Sequence, residues 1–297
     1  MEVKNVLIAI DEFQFANHIV RTACKFFDNK KVIIHLINVL ETNTVKSDLF
    51  SKFPDEYIHE ESEKTGYNDL ENFLGLHNFT YKKVHFSEGK AAEKILEYAG
   101  KNAIDMIVVG SHNKSVFEKF IIGSTSYKIA RDAKCSVLII KPSFKHDYSL
   151  DKNLKILAAV DGSEFINKIS HNFIKFFDLT KLIVSIMYVR VPIETILPMD
   201  SLNYTDTSVI NEESIKKAQE IIENAKHHFM NNGLFVDKLI SKEGKPGYEI
   251  INEVKNEEYD LVAVGSHGKG FISSLIMGSV STQVYENSKI SVLIAKS

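Results

Sequence analysis

The residues best suited to binding chemistry lie in the stretch GSHGKGFISSLIMGS, positions 265 to 279, directly after the apolar run LVAV. Gly265, Gly268 and Gly278 stand there at the spacing G-x2-G-x9-G, and Ser279 follows the last glycine. Glycine lets backbone N–H groups approach an anion closely and adopts the positive φ values that a phosphate-cradling loop needs. The residues after Gly278 read as a helix, whose N-terminus favours phosphate. The spacing therefore predicts two backbone contacts with one polyphosphate.

Glycines that follow parallel strands also make ordinary tight turns, so the glycine spacing leaves a purely structural interpretation open. A second feature favours the phosphate interpretation. Asp161, Gly162 and Ser163 follow the apolar run ILAAV. Open α/β sheets bind ligands outside the carboxyl ends of their strands, where the strand order reverses. If the two strand ends converge, a carboxylate and a hydroxyl face a glycine loop across one crevice.

Continuous apolar runs rich in β-branched residues indicate the strands that position these groups. They are VLIAI, VIIHLINVL, MIVVG and SVLII in the first half and ILAAV, LIVSIMYV, LVAVG and SVLIA in the second. Such runs are typical of parallel strands that are buried on both faces. Helical patterns separate them; one begins near Asn211 and ends near Gly233. The alternation predicts an α/β fold, with an open-sheet three-layer sandwich in each half.

The chain is a tandem duplication. Residues 105–141 align without gaps on residues 260–296, with 16 identities at 37 positions. The polar stretch PSFKHDYSLDKN separates the halves. We therefore predict two domains, residues 1–143 and 154–297.

At these motifs the sequence resembles a tandem universal stress protein, a family whose ATP-binding members carry G-x2-G-x9-G-[ST] after the fourth strand and an Asp at the end of the first. The resemblance covers nearly the whole chain. It implies, in each half, a five-stranded parallel sheet in the order 3-2-1-4-5 with helices on both faces. It also implies that Asp161 contacts the adenosine moiety and that the backbone of Val189 hydrogen-bonds adenine. The candidate ribose- and phosphate-binding residues are Gly265, Gly268, Gly278 and Ser279, with their neighbours His267 and Val280.

The first half departs from the family pattern. The residues that match it are Asp11, Val39, Gly110, Gly123 and Ser124. Asn113 replaces the second glycine, and Glu12 and Phe13 replace the Gly-Ser pair that follows the aspartate. A bulky ring and an added negative charge beside a triphosphate both oppose binding, so we predict that a second site here is weaker than the first.

Bulk properties limit the partners. A formal charge of −3 and a pI near 6.4 provide no broad cationic field, which argues against nucleic acid and anionic membranes as partners. The opening residues MEVKNVLIAIDE fit neither a signal peptide nor a membrane span, so we expect a cytoplasmic protein. Cys24 and Cys135 lack disulfide or zinc-site spacing.

The function favoured by these observations is an ATP-binding stress or regulatory protein that uses the nucleotide as a switch or structural ligand. Mg²⁺ is a candidate companion of the phosphates, near Asp161 or Ser279, without a dedicated metal site. No catalytic residue is assigned. One alternative is a slow ATPase or phosphoryl-transfer enzyme; another is a scaffold or small hydrophobic-ligand binder that uses residues 190–210. The fifth strands, SVLIIK and SVLIAK, predict an intramolecular pseudo-dimer of the halves, compatible with further homo-oligomers.

Overall fold

A computed structural model describes residues 2–10, 13–40, 56–111, 123–142, 149–192, 207–267 and 277–296. The chain divides into two compact units: the first comprises Met1–Leu150 with Lys175–Phe177, and the second comprises Asp151–Ile174 with Asp178–Ser297. The predicted boundaries at 143 and 154 stay a prediction, since residues 143–148 lie outside the described ranges.

The first unit is a parallel sheet covered by helices. Its strands are β1 (Lys4–Ile10), β2 (Val32–Leu40), β3 (Thr80–Glu88), β4 (Met106–Gly110) and β5 (Ser136–Ile140). Its described helices are α1 (Phe13–Phe26), α2 (Glu56–Leu76), α3 (Ala91–Lys101) and α4 (Ser124–Asp132). The strand order is β3-β2-β1-β4-β5.

The second unit repeats this architecture. Its strands are β6 (Leu154–Val160), β7 (Leu182–Arg190), β8 (Phe235–Glu243), β9 (Leu261–Gly265) and β10 (Ser291–Ala295). Its described helices are α5 (Phe165–Phe176), α6 (Thr207–Asn231), α7 (Pro246–Asn256) and α8 (Ser279–Asn287), with a 3₁₀ turn at Leu179–Lys181. Within this unit the strands run in the order β10-β9-β6-β7-β8.

The predicted fold class and strand order are confirmed in both units. All strand pairs within each unit are parallel, and β4, β5, β9 and β10 are buried almost throughout. This burial explains why their sequences are continuous apolar runs rather than alternating ones. Helices cover both faces because each parallel connection must cross over the sheet.

The predicted start of helix α6 near Asn211 is wrong, because the helix already begins at Thr207. Asn211 lies inside the first turns, and its side chain accepts a hydrogen bond from Arg190 instead of capping the helix. The predicted end near Gly233 is confirmed: the helix ends at Asn231, and Gly233 adopts φ +80°. Glycine takes this left-handed conformation without the steric cost that other residues bear.

No helix in the described ranges is both long enough and apolar enough to cross a membrane. Cys24 is buried and Cys135 is half-buried, and these two cysteines form no disulfide.

The first unit buries a polar cluster between its sheet and α3. His35, on β2, is 1% exposed. Its Nε2 lies 3.2 Å from Asn5 Oδ1, and its Nδ1 lies 3.1 Å from the Tyr98 hydroxyl. Because an amide oxygen only accepts, Nε2 carries the proton and the neutral imidazole satisfies both partners. Burial, and then the positive charge of Lys82, lower the pKa of His35 to about 4.

This buried imidazole predicts acid sensitivity of the first unit. The native state keeps His35 neutral, whereas the unfolded chain binds a proton near the ordinary histidine pKa of 6.5. The free energy of unfolding should therefore fall as the pH drops from 6.5 towards 4, by at most about 1.4 kcal/mol per pH unit. The free energy of unfolding can be measured by urea unfolding between about pH 7 and about pH 4.5, with the amide resonances of the first unit as the probe. Plotted against pH, it should have a shallower slope in His35→Gln than in the parent protein. Parallel curves for parent and variant would contradict this assignment.

Candidate functional site

The ends of β6 and β9 form the switch point of the second unit's sheet. Ala158 on β6 pairs with Ala263 on β9, and each strand ends two residues later, at Val160 and Gly265. After β8 the chain crosses back past β6 and forms β9 on the other side. The connections therefore leave β6 and β9 in opposite directions and open a crevice between them.

Asp161 stands on one side of this crevice in a tight turn. The Ser163 backbone N–H donates to Asp161 Oδ1 at 2.9 Å, and the Ser163 hydroxyl donates to the same oxygen. Gly162 adopts φ +74° between them, which favours glycine. Two donors on one carboxylate oxygen fix the orientation of the carboxyl group at the strand end.

The glycine motif closes the opposite side through backbone contacts. The Gly278 N–H donates to the carbonyl of Ser266 at 2.8 Å. The Ser281 hydroxyl, 2% exposed, lies 3.0 Å from the same carbonyl and 2.9 Å from the carbonyl of Gly278. A Cβ on Gly278 would lie 3.3 Å from Ser266 O and 3.4 Å from His267 Cα. Glycine therefore permits this close approach of two backbone segments.

Helix α8 begins directly after this contact, at Ser279. Within the described part of the chain, no side chain caps this helix by a hydrogen bond to its first turn. The first N–H groups of a helix have no partner within the helix, and the helix dipole makes this end positive. The backbone of Ser279 and Val280 thus presents donors of the kind that bind phosphate.

Strand β7 contributes a carbonyl group at the same edge. Gly244 N–H donates to Arg190 O at 2.9 Å, so the Arg190 carbonyl points towards β8. Successive carbonyls of a strand point to opposite sides, so the Val189 carbonyl points towards β6. Tyr188 is level with Val160, the last residue of β6. The Val189 carbonyl therefore lies just beyond the end of β6, at the crevice.

Comparison with known proteins decides the family. The model of the universal stress protein family matches residues 2–141 and again residues 152–296. The chain belongs to the universal stress protein family. It is therefore a stress-response protein with two family domains in tandem.

Individual relatives and solved structures are also similar to this chain. Universal stress protein YxiE of Bacillus subtilis is 30% identical over 146 residues, which cover 48% of this chain and 98% of the relative. The crystal structure of a universal stress protein from Archaeoglobus fulgidus has a TM-score of 0.64 at 20% identity and covers 99% of this chain and 97% of its own. A universal stress protein crystallised in complex with cAMP is 17% identical, with a TM-score of 0.36 over 49% of this chain and 98% of its own.

The first domain of this universal stress protein has the same strand order as the second but different side chains at the end of its second strand. Val39 follows Asn38, which is level with Ile10 at the end of β1. Asn38 Nδ2 donates to the carbonyl of Ile10 at 3.3 Å and to the Tyr67 hydroxyl at 3.0 Å. At the aligned positions the second domain has Tyr188 and no second tyrosine. A buried polar link thus occupies this strand end in the first domain.

The first and third glycines of the motif lie at matching places in the two domains. Gly110 ends β4, and Gly123 precedes α4, which begins at Ser124. Ser126 donates its hydroxyl to the carbonyl of Gly123 at 3.0 Å, as Ser281 does to that of Gly278.

Three predicted site residues lie outside the described residues: Gly268 in the second domain and Asp11 and Asn113 in the first. The other predicted residues of the second domain lie at the carboxyl edge of its sheet or at the start of α8: Asp161, Val189, Gly265, His267, Gly278, Ser279 and Val280. Their roles in binding stay predictions.

The described residues include no group of three or more His, Cys, Asp or Glu side chains that could hold a metal ion.

Sequence reasoning missed Arg190, which directly follows Val189. Its side chain is 13% exposed, forms an ion pair with Glu243 and donates to Asn211 Oδ1. Burial raises the pKa of nearby Tyr188, the charge of Asp161 raises it further, and Arg190 opposes that increase. Alignment of the two halves could have indicated Arg190, because the first half has Leu40 at the position where the second has this charged residue.

The hydroxyl of Ser281 should stabilise the glycine contact. In Ser281→Ala, Ser266 O keeps its bond from Gly278 N and Gly278 O keeps its bond from Thr282 N, so no carbonyl loses its last partner. We therefore expect a loss of about 1 kcal/mol in the free energy of unfolding. The loss is measured by urea unfolding of the second domain in Ser281→Ala. Ser126→Ala provides the corresponding measurement for the first domain. Unchanged urea midpoints in both variants would contradict a stabilising role for these hydroxyls.

Proposed function

We propose that the second domain binds one adenine nucleotide, ATP, in the crevice between β6 and β9, and that the nucleotide serves as a switch or structural ligand. The observation that carries the proposal is the contact between the Gly278 N–H and the Ser266 carbonyl, 2.8 Å long, immediately before an uncapped helix. This contact brings Ser266, just after β9, against the residue that precedes α8, so backbone groups from both places are available to one ligand.

The phosphates belong at the end of the crevice formed by α8. Backbone N–H groups at a helix N-terminus bind phosphate through hydrogen bonds and the helix dipole. Gly278 has φ −67° and ψ 160°, an extended conformation that every residue can adopt. The requirement for glycine therefore comes from the limited space beside Ser266 and His267, where a side chain would push the segment away from the helix.

The nucleoside belongs at the end formed by β6 and β7. The Asp161 carboxylate, oriented by Ser163, is an acceptor suited to a ribose hydroxyl or to the base. The Val189 carbonyl is a second acceptor, and it faces the crevice beyond β6. An acceptor at this place suits the 6-amino group of adenine and opposes the 6-oxo group of guanine or hypoxanthine.

Mg²⁺ bound to the phosphates would find oxygen ligands in Asp161 and in the Ser279 hydroxyl, the kind of donor that Mg²⁺ prefers. Metal-bound phosphate would reduce the repulsion between the Asp161 carboxylate and the triphosphate. Hydrolysis forms no part of the proposal.

Gly278→Val tests the phosphate end. The added side chain should separate Gly278 from Ser266 and weaken ATP binding at least about tenfold, because several backbone hydrogen bonds to phosphate depend on this contact. Titration calorimetry with ATP and Mg²⁺ measures the change, and circular dichroism checks that the domain is folded. The matched control is Gly123→Val, at the aligned position of the first domain, which should keep the parent's affinity.

The number of bound nucleotides gives a further readout. Denaturing the freshly purified protein, without added nucleotide, and identifying the released ligand by mass spectrometry should yield about one ATP per chain, since only the second domain carries the intact motif. Unchanged ATP affinity in Gly278→Val would falsify the phosphate contact. Two nucleotides bound with equal affinity would contradict the difference between the domains.

The base is tested with a pair of ligands that differ at one position. ATP has a 6-amino donor, whereas inosine triphosphate (ITP) has a 6-oxo acceptor. We expect the parent to bind ATP at least about tenfold more tightly than ITP, because ITP leaves the Val189 carbonyl facing another acceptor. Calorimetric titration with each ligand measures the ratio. Equal affinities would show that the base is not read by this carbonyl.

A further inference from the structure

We infer that Arg190 is a positioning residue that holds the end of β7 and thereby sets the preference of the site for a 6-amino purine. The inference rests on the proposed nucleotide binding. It concerns the specificity of that site and assigns it to a side chain whose partners lie on β8 and α6.

Arg190 joins three elements. Its Nη2 forms an ion pair with Glu243 at the end of β8, and its Nη1 donates to Asn211 in the first turns of α6. Its backbone carbonyl accepts from Gly244 at 2.9 Å. The Arg190 side chain is 13% exposed and that of Glu243 is 45% exposed, so the ion pair is shielded from solvent on the arginine side only. We call this set of contacts the Arg190 clamp.

The end of β7 needs such support because the sheet holds it on one side only. Tyr188 is the last residue of β7 paired with β6, through Val160. Val189 and Arg190 continue past that point and pair only with β8, through Lys242 and Glu243. A strand end paired on one side has greater freedom than a central one, and the Val189 carbonyl lies within that end.

The first domain shows the same backbone without the clamp. Gly89 N–H donates to the carbonyl of Leu40 at 3.0 Å, as Gly244 does to that of Arg190. Leu40 is 52% exposed and has no charge with which to hold Glu88, the residue aligned with Glu243. The domain with the intact glycine motif is thus the one whose strand end is held by a side chain.

A different role for Arg190 would be attraction of the phosphates by its positive charge. The two roles predict different changes in the affinities for ATP, ITP and adenosine. Attraction would lower the affinity for ATP and ITP equally when the charge is removed, and it would not affect adenosine. Positioning of the Val189 carbonyl would lower the affinity for ATP and adenosine and would leave ITP nearly unchanged, because ITP makes no favourable bond to that carbonyl.

The test is Arg190→Leu, which installs the residue of the first domain, titrated with ATP, ITP and adenosine. We expect ATP and adenosine to bind about fivefold to tenfold more weakly, and the ratio of ATP to ITP affinity to fall below about threefold. Circular dichroism and the urea midpoint of the second domain report folding. A purely structural role would lower all three affinities in parallel and leave the ratio unchanged.

Glu243→Ala provides a second variant that removes the clamp from its exposed side, since the Glu243 side chain is 45% exposed. It keeps the positive charge of Arg190 and should still lower the ATP to ITP ratio. Glu88→Ala, at the aligned position of the first domain, is the matched control and should preserve the ratio.

The outcomes separate the two proposals. A parent that binds ATP in preference to ITP, with a reduced ratio in Arg190→Leu and Glu243→Ala, supports the inference. A parent with that preference whose variants keep the full ratio overturns the inference and leaves the proposed function standing. A parent that binds neither nucleotide overturns both.

Discussion

The reversal of strand order in a parallel sheet is the constraint on which the site depends. In the second domain β6 is flanked by β7 and by β9, and the chain leaves β6 and β9 in opposite directions. The connections that follow these two strands diverge, and such a divergence opens a crevice at the carboxyl ends of a parallel sheet. The polar and glycine residues at the ends of β6, β7 and β9 then decide what the crevice can hold.

The two domains combine the same strand order with different side chains at the strand ends. In both domains a glycine precedes the helix that follows the fourth strand. A serine hydroxyl within that helix donates a hydrogen bond to the carbonyl of this glycine. The side chains around the second strand differ. The first domain has Asn38 linked to Tyr67, whereas the second has Tyr188 followed later by the clamp of Arg190. Strand burial restrains the apolar positions, so divergence concentrates at the strand ends, where side chains reach solvent or ligand.

Much of the fold could be predicted because its determinants are local. Buried parallel strands are continuous apolar runs, and the internal repeat doubled the evidence for each of them. The strand order came from resemblance to the family. Element boundaries were less predictable: a good capping residue, Asn211, lies inside α6 because the helix begins earlier and the Asn211 side chain has a partner on β7. Local capping preference loses to tertiary contacts of this kind.

The sequence by itself determined the duplication, the strands, and the glycine and serine spacing of the candidate site, since each is a pattern of residue types along the chain. Tertiary structure alone decided the contact between Gly278 and Ser266, the direction of the Val189 carbonyl and the partners of Arg190. These depend on strand register and on distances between residues far apart in the chain, for which periodicity contains no information. Close packing and hydrogen-bond geometry select one arrangement from the many that the same pattern of residue types would allow.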